Sequence, residues 1–211
     1  GNGTTERDQH LGPRAVRHVS ANMRRAHMRY GFYPLETGRV GDIGDVPLPE
    51  ANNNEACIKA ITSFFRPIDA AGTRPVSIGG DHSITGGILR AISGPDSRLT
   101  NGGKVALLHL DAHTDVFTTV DHFLGAEKSA AHWGAYTADQ GLIDPAGSMQ
   151  IGLRGHPRSS AAREEEAEKR TTELFLGHAQ ATTFCGITGE ACHSEPVTRQ
   201  LAISLEHLRD A

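Results

Sequence analysis

Apolar positions along the chain fall into short groups separated by Gly, Pro and charge. After a Gly-, Thr- and charge-rich start over residues 1–14, Pro13 sits where a first helical turn tolerates it. Ala15, Val16 and Val19 then recur at helical spacing, which predicts a helix. Residues 30–50 are rich in Gly and Pro and offer only short strand candidates. Between residues 54 and 65, Ala56, Ile58, Ala60, Ile61, Phe64 and Phe65 supply a broad apolar face, and a second helix is expected there. The pattern then sharpens. Residues 74–78 (RPVSI) read as a short strand ending in Gly79 and Gly80, with a helix over residues 83–92 behind it. Residues 104–110 (KVALLHL) form an apolar run too short for a helix, the pattern of a strand covered on both faces in a parallel sheet. A third strand, residues 149–153 (MQIGL), follows a helix expected over residues 131–140. Strands alternating with helices imply right-handed βαβ crossovers, hence an α/β fold with a mostly parallel central sheet. Such sheets bind ligands at the rim beyond the strand C-terminal ends.

Past this region the pattern weakens. Residues 159–172 (SSAAREEEAEKRTT) are highly charged with almost no apolar face, and read as a solvated helix or linker. Residues 174–176 offer one more short strand. A last helix is expected over residues 197–211, with Thr198 as a cap and Leu201, Leu205 and Leu208 at helical spacing. The whole chain, 211 residues with a hydrophobic content of 37%, accommodates one domain, residues 1–211, rather than two.

Charge narrows the partners. Lys plus Arg number 21 against 25 Asp plus Glu, a net charge of −4, so no basic surplus favours nucleic acid or an anionic membrane. No apolar run approaches the roughly 20 residues of a membrane-spanning helix, and GNGTTERDQH lacks the pattern of a secretory signal. Cys57, Cys185 and Cys192 are odd in number and match no zinc ribbon or disulfide framework. A reducing, cytoplasmic setting is the expectation.

The chemistry concentrates at two turns. Asp111, His113 and Asp115 in HLDAHTD follow the KVALL run, so three metal-competent side chains extend from one strand toward the ligand-binding rim. Asp81 and His82 in GGDHS end the preceding strand candidate and belong to the same rim. Mixed imidazole and carboxylate donors suit Mn²⁺, Ni²⁺, Fe²⁺ or Zn²⁺, and no Cys lies nearby to make a thiolate site. Of the 12 histidines, most have no partner pattern, and His109 is expected to face the packed side of the sheet. Trp133 reads equally as a pocket wall or as core. Asp121, His122 and Glu127 lie in the long loop after DAHTD.

GPRAVR, GGDHS, HLDAHTD, HWG (residues 132–134) and LIDPAGSMQIGLRG (residues 142–155) together resemble, in this order, the arginase and agmatinase family of ureohydrolases. The resemblance runs over residues 1–155. It implies a three-layer αβα fold and a dinuclear metal centre, manganese or in some branches nickel, that hydrolyses a small guanidino compound and releases urea or a related product. It places His82, Asp111, His113 and Asp115 at metal-ligand positions, with Asp111 bridging. His132 falls on the family histidine that approaches the substrate and shuttles protons. Around residues 122–141 the chain is nearer to branches acting on small guanidine or biguanide compounds.

The same resemblance exposes a departure. The family completes its centre with two aspartates in a later strand motif followed by a Glu-Pro. Counting back from Glu195 and Pro196 lays LFLGHAQATTF over that motif, so Ala179 and Ala181 replace both carboxylates. His178 and Glu190 are the polar groups nearby. The charged segment over residues 156–173 matches the family poorly, and the copy reads as incomplete. The expectation is therefore a noncatalytic or accessory subunit, assembled with a catalytic paralogue in the manner of metformin hydrolase. Two alternatives stand beside it: an active agmatinase-like hydrolase whose missing carboxylates come from elsewhere, and a metal-free oligomerisation module.

Overall fold

The computed structural model describes residues 8–23, 26–33, 36, 38, 40–49, 53–118, 126–145 and 147–151. The elements are α1 (Gly12–Ser20), entered through a 3₁₀ turn at Asp8–Leu11, then α2 (Asn54–Ala70), α3 (Ile84–Ile92), β1 (Leu108–Leu110), α4 (Trp133–Asp139) and β2 (Met149–Ile151). The strand expected over residues 174–176, the terminal helix, the charged segment and the positions of Ala179 and Ala181 lie outside the described residues. So do Asp121 and His122 of the long loop.

Helix α2 begins where Asn53 accepts a hydrogen bond from the Ala56 N–H at 3.0 Å, satisfying one donor of the open first turn. It runs five residues beyond the expected end at Phe65 because Ile68 joins its apolar face, and Pro67 falls in the last turn. That face packs on α3: Ile58, Ile61 and Phe65 bury against Ala91, with Ile84, Ile88 and Ile92 around them. Close approach depends on Gly87, where a Cβ would stand 2.9 Å from Ile61 Cγ2. Thr62 crosses the same contact, its hydroxyl donating to the Gly87 carbonyl at 2.9 Å.

The sheet is parallel, as the alternation predicts. β1 pairs with β2 in the register Leu108↔Met149, His109↔Gln150 and Leu110↔Ile151, and a parallel bridge joins Val105 to Ile143. Two expectations differ. Residues 74–78 form no strand: Val76 is 94% exposed and Ile78 54%, because no neighbouring strand pairs with them among the described residues. The 104–110 run is a strand only at its end, since the Leu107 N–H is taken by the Ser148 hydroxyl at 3.0 Å instead of a ladder carbonyl. On β1 only His109 is buried, whereas Leu108 and Leu110 are exposed, so the doubly covered strand read from the sequence is not seen among the described residues. Helix α1 forms where expected but buries no residue. Arg17 ties it to the following loop through Asp42 and Asp45, each at 2.9 Å.

Candidate metal centre

Just past the end of β1, the turn before α3 and the start of α4 converge on Asp115. At the turn, Asp81 accepts from the Ser83 N–H at 2.9 Å and from the Ser83 hydroxyl, which locks the GGDHS loop and presents the next side chain, His82, to the rim. Its Nδ1 lies 2.6 Å from Asp115 Oδ2 and 3.1 Å from Asp111 Oδ2. His109 approaches from β1, with Nε2 at 3.6 Å from Asp111 Oδ2 and 3.9 Å from Asp115 Oδ2. One donor atom from each of His82, His109, Asp111 and Asp115 lies within 4.8 Å of all the others.

The structure thus gathers three of the residues singled out from the sequence: His82, Asp111 and Asp115. His113 stands at the margin. Its side chain is 69% exposed and Nδ1 is 3.5 Å from Asp111 Oδ1, while its backbone N–H donates to that same oxygen at 2.8 Å. His132 is buried just before α4 and its Nδ1 is 2.7 Å from the Ser129 hydroxyl. Glu127 of the long loop offers its backbone N–H to Glu55, at 3.1 Å.

Two residues at the cluster had no site role in the motif. His109 is one, and strand alternation carries its signal: residues 109, 111, 113 and 115 share one parity, so the series of polar groups begins one step before the aspartate. Trp133 is the other. Its indole N–H donates to Asp115 Oδ2 at 2.9 Å, and its ring lies 4.9 Å from that of His82 and 5.1 Å from that of His109. Behind His109, Gln150 is fully buried, with Nε2 at 2.6 Å from His109 Nδ1 and 3.0 Å from the carbonyls of His113 and Thr114. Gln150 therefore pins β1 and the DAHTD turn to β2.

Electrostatics follow from this crowding. Burial opposes the charged form of His82, but the hydrogen bond and charge of Asp115, helped by Asp111, hold its pKa above the ordinary value. Burial and the charge of His82 push His109 the other way. Burial would raise the Asp111 carboxyl, yet the His113 N–H and the neighbouring histidines keep it below the usual range. Two carboxylates facing His82, with a second imidazole, His109, whose buried Nε2 has no hydrogen-bond partner among the described residues, make a site whose donors suit a divalent cation of borderline softness.

The Arginase family profile matches residues 1–182 of the sequence. This chain belongs to the arginase family. Over 188 residues it is 37% identical to a guanidinopropionase of Pseudomonas aeruginosa, covering 88% of this chain and 54% of that protein. A mitochondrial agmatinase of Gallus gallus is 36% identical over 145 residues, 69% of this chain and 40% of its own length. The chain thus spans about half the length, or less, of these curated relatives. Among solved structures, a hypothetical agmatinase from Burkholderia thailandensis superposes with a TM-score of 0.62 at 28% identity, over 84% of this chain and 57% of that one. Proclavaminate amidino hydrolase from Streptomyces clavuligerus gives 0.62 at 26% identity, over 81% and 53%. The arginase-like α/β fold read from the sequence is therefore the fold of this arginase-family chain.

Proposed function

We propose that this arginase-family chain is a subunit of a metal-dependent amidinohydrolase, acting on a small guanidino compound and releasing urea or a related product. The observation that carries the reading is the convergence of His82 Nδ1 on the carboxylates of both Asp111 and Asp115, within 3.1 Å, at the C-terminal rim of the sheet. Asp111 and Asp115 with His82 would hold Mn²⁺ or Ni²⁺, with His109 and His113 as further imidazoles at its edge. When bound, such a cation lowers the pKa of water enough to supply a nucleophile at neutral pH. The chain's own groups do the rest. Asp111, kept ionised by the His113 N–H, remains available as an acceptor. A proton carried by His132 would travel on Nε2, since Nδ1 is engaged by Ser129. The named activities of the relatives, on guanidinopropionate and agmatine, support the guanidino class.

On its own the chain is an accessory rather than a catalytic subunit, because Ala179 and Ala181 stand where the family carries its second pair of carboxylates. An alanine methyl offers a cation no lone pair. Metal analysis and a urea-release assay, on the purified chain alone and with any co-purifying protein, test the reading. Bound cation without turnover, with turnover appearing only beside a catalytic paralogue, is the expected result. Two equivalents of Mn²⁺ or Ni²⁺ per chain with urea release would establish the active alternative, and absence of cation would favour the metal-free oligomerisation module.

A further inference from the structure

Asp115 has an unusual backbone for a non-glycine residue: φ is +53°, in the left-handed region, while its side chain is buried. Two consecutive residues at the start of α4 hold it there. Trp133 donates its indole N–H to Asp115 Oδ2 at 2.9 Å, and Gly134 donates its backbone N–H to the Asp115 carbonyl at 2.9 Å. The grip is tight, since a Cβ at position 134 would stand 2.9 Å from that carbonyl oxygen. Trp133 is itself immobile, only 1% exposed and packed with Leu89 and Ile143, and its ring abuts the rings of His82 and His109.

We propose that Trp133 is a positioning residue of the metal centre: its N–H fixes the Asp115 carboxylate, and its ring fixes the imidazole planes of His82 and His109. This rests on the cation-binding reading above. A neutral donor suits the task, because it occupies one lone pair of Oδ2 without adding charge and leaves the side facing His82 to a cation. The HWG sequence thus works as a two-point clamp on Asp115, one hold on the carboxylate and one on the carbonyl.

In the full chain, Trp133→Phe keeps a ring and loses the donor. Benzothienylalanine installed at position 133 keeps the bicycle and exchanges only N–H for sulfur. Mn²⁺ titrations followed by the electron paramagnetic resonance signal of the free ion give the affinity, and Co²⁺ visible absorption reports the geometry. Both altered chains are expected to bind Mn²⁺ roughly 10–100-fold more weakly, with shifted Co²⁺ bands, while circular dichroism of the metal-free chains coincides with wild type. A benzothienylalanine chain that binds within about 2-fold of wild type with an unchanged Co²⁺ spectrum, far less than an outer-shell loss costs, overturns the positioning role and leaves the cation site standing. A wild-type chain that takes up neither ion overturns the cation reading and the positioning role with it. If Trp133→Phe fails to fold, the isosteric chain decides alone.

Discussion

Asp69 and Asp115 are both buried aspartates, yet their surroundings could hardly differ more. Asp69, at the end of α2, accepts from the Ser97 hydroxyl and the Arg98 N–H at 2.8 Å and from the Leu99 N–H at 3.1 Å. Burial opposes its charge, but these donors more than offset that and hold its pKa below the usual carboxylate range. Among the described residues, Asp115 meets one neutral side-chain donor, Trp133, and otherwise the imidazoles of His82 and His109, with Asp111 sharing the same His82 Nδ1. A carboxylate saturated by fixed neutral donors is closed and serves the fold. One that shares its space with a second carboxylate needs a positive charge between them, and proton or metal can supply it.

The sharpest break in that comparison is at the open carboxylate. Asp115→Asn is expected to weaken Mn²⁺ or Ni²⁺ binding by more than the roughly 10–100-fold that loss of an outer-shell partner costs, as read by calorimetric titration. Its metal-free stability should stay near wild type, since repulsion with Asp111 is relieved; a marked loss of stability with cation affinity retained would make Asp115 another closed carboxylate.

The converse holds at Asp69. Asp69→Asn turns an amide NH₂ toward either the Arg98 N–H or the Ser97 and Leu99 donors, leaving a buried mismatch that costs about 1–3 kcal/mol in urea unfolding. Cation affinity per folded molecule should not change. The pH dependence follows in sign: a folded pKa lowered below the unfolded value of about 3.9 gives stability that is full above that pH and lost as pH falls through the folded value. Urea midpoints between neutral pH and pH 3 should therefore fall less steeply in Asp69→Asn than in wild type, and parallel limbs would remove Asp69 from the acid response.

Gly134→Ala gives the smallest and most diagnostic shift. In an open helix the change stabilises by about 1 kcal/mol. Here the new Cβ would lie 2.9 Å from both the Asp115 carbonyl oxygen and Val116 Cγ1, so the thermal midpoint should drop rather than rise. A rise would mean that α4 does not need its close approach to Asp115.

Much of this is legible in the sequence because local pattern controls it. The apolar face of α2, the presence of α3, the parallel sense of the sheet, and the placing of His82, Asp111 and Asp115 at one rim all follow from local pattern and from the rule for parallel sheets. What escaped depends on long-range contact. Val76 looks like a strand residue, but a strand needs a partner, and the neighbour is not set by residues 74–78 themselves. His109 is at once a packed strand residue, as its position implies, and a cluster residue, because its Nε2 lies 3.6 Å from the Asp111 carboxylate and 3.9 Å from that of Asp115. Trp133 is beyond any motif count, since only tertiary contact brings its N–H onto an aspartate 18 positions earlier.

The register of His109 opposite Gln150 has a kinetic consequence. Gln150 steadies His109 and the backbone at His113 and Thr114 only after a segment of 41 residues has been closed, and closure entropy delays such non-local pairing on the way to the native state. The ligand geometry is therefore expected to be completed late, after the folding barrier rather than before it. A cation that recognises the finished cluster should leave the refolding rate nearly constant and act almost wholly by slowing unfolding, so occupancy sets the lifetime of the native chain rather than the speed of reaching it.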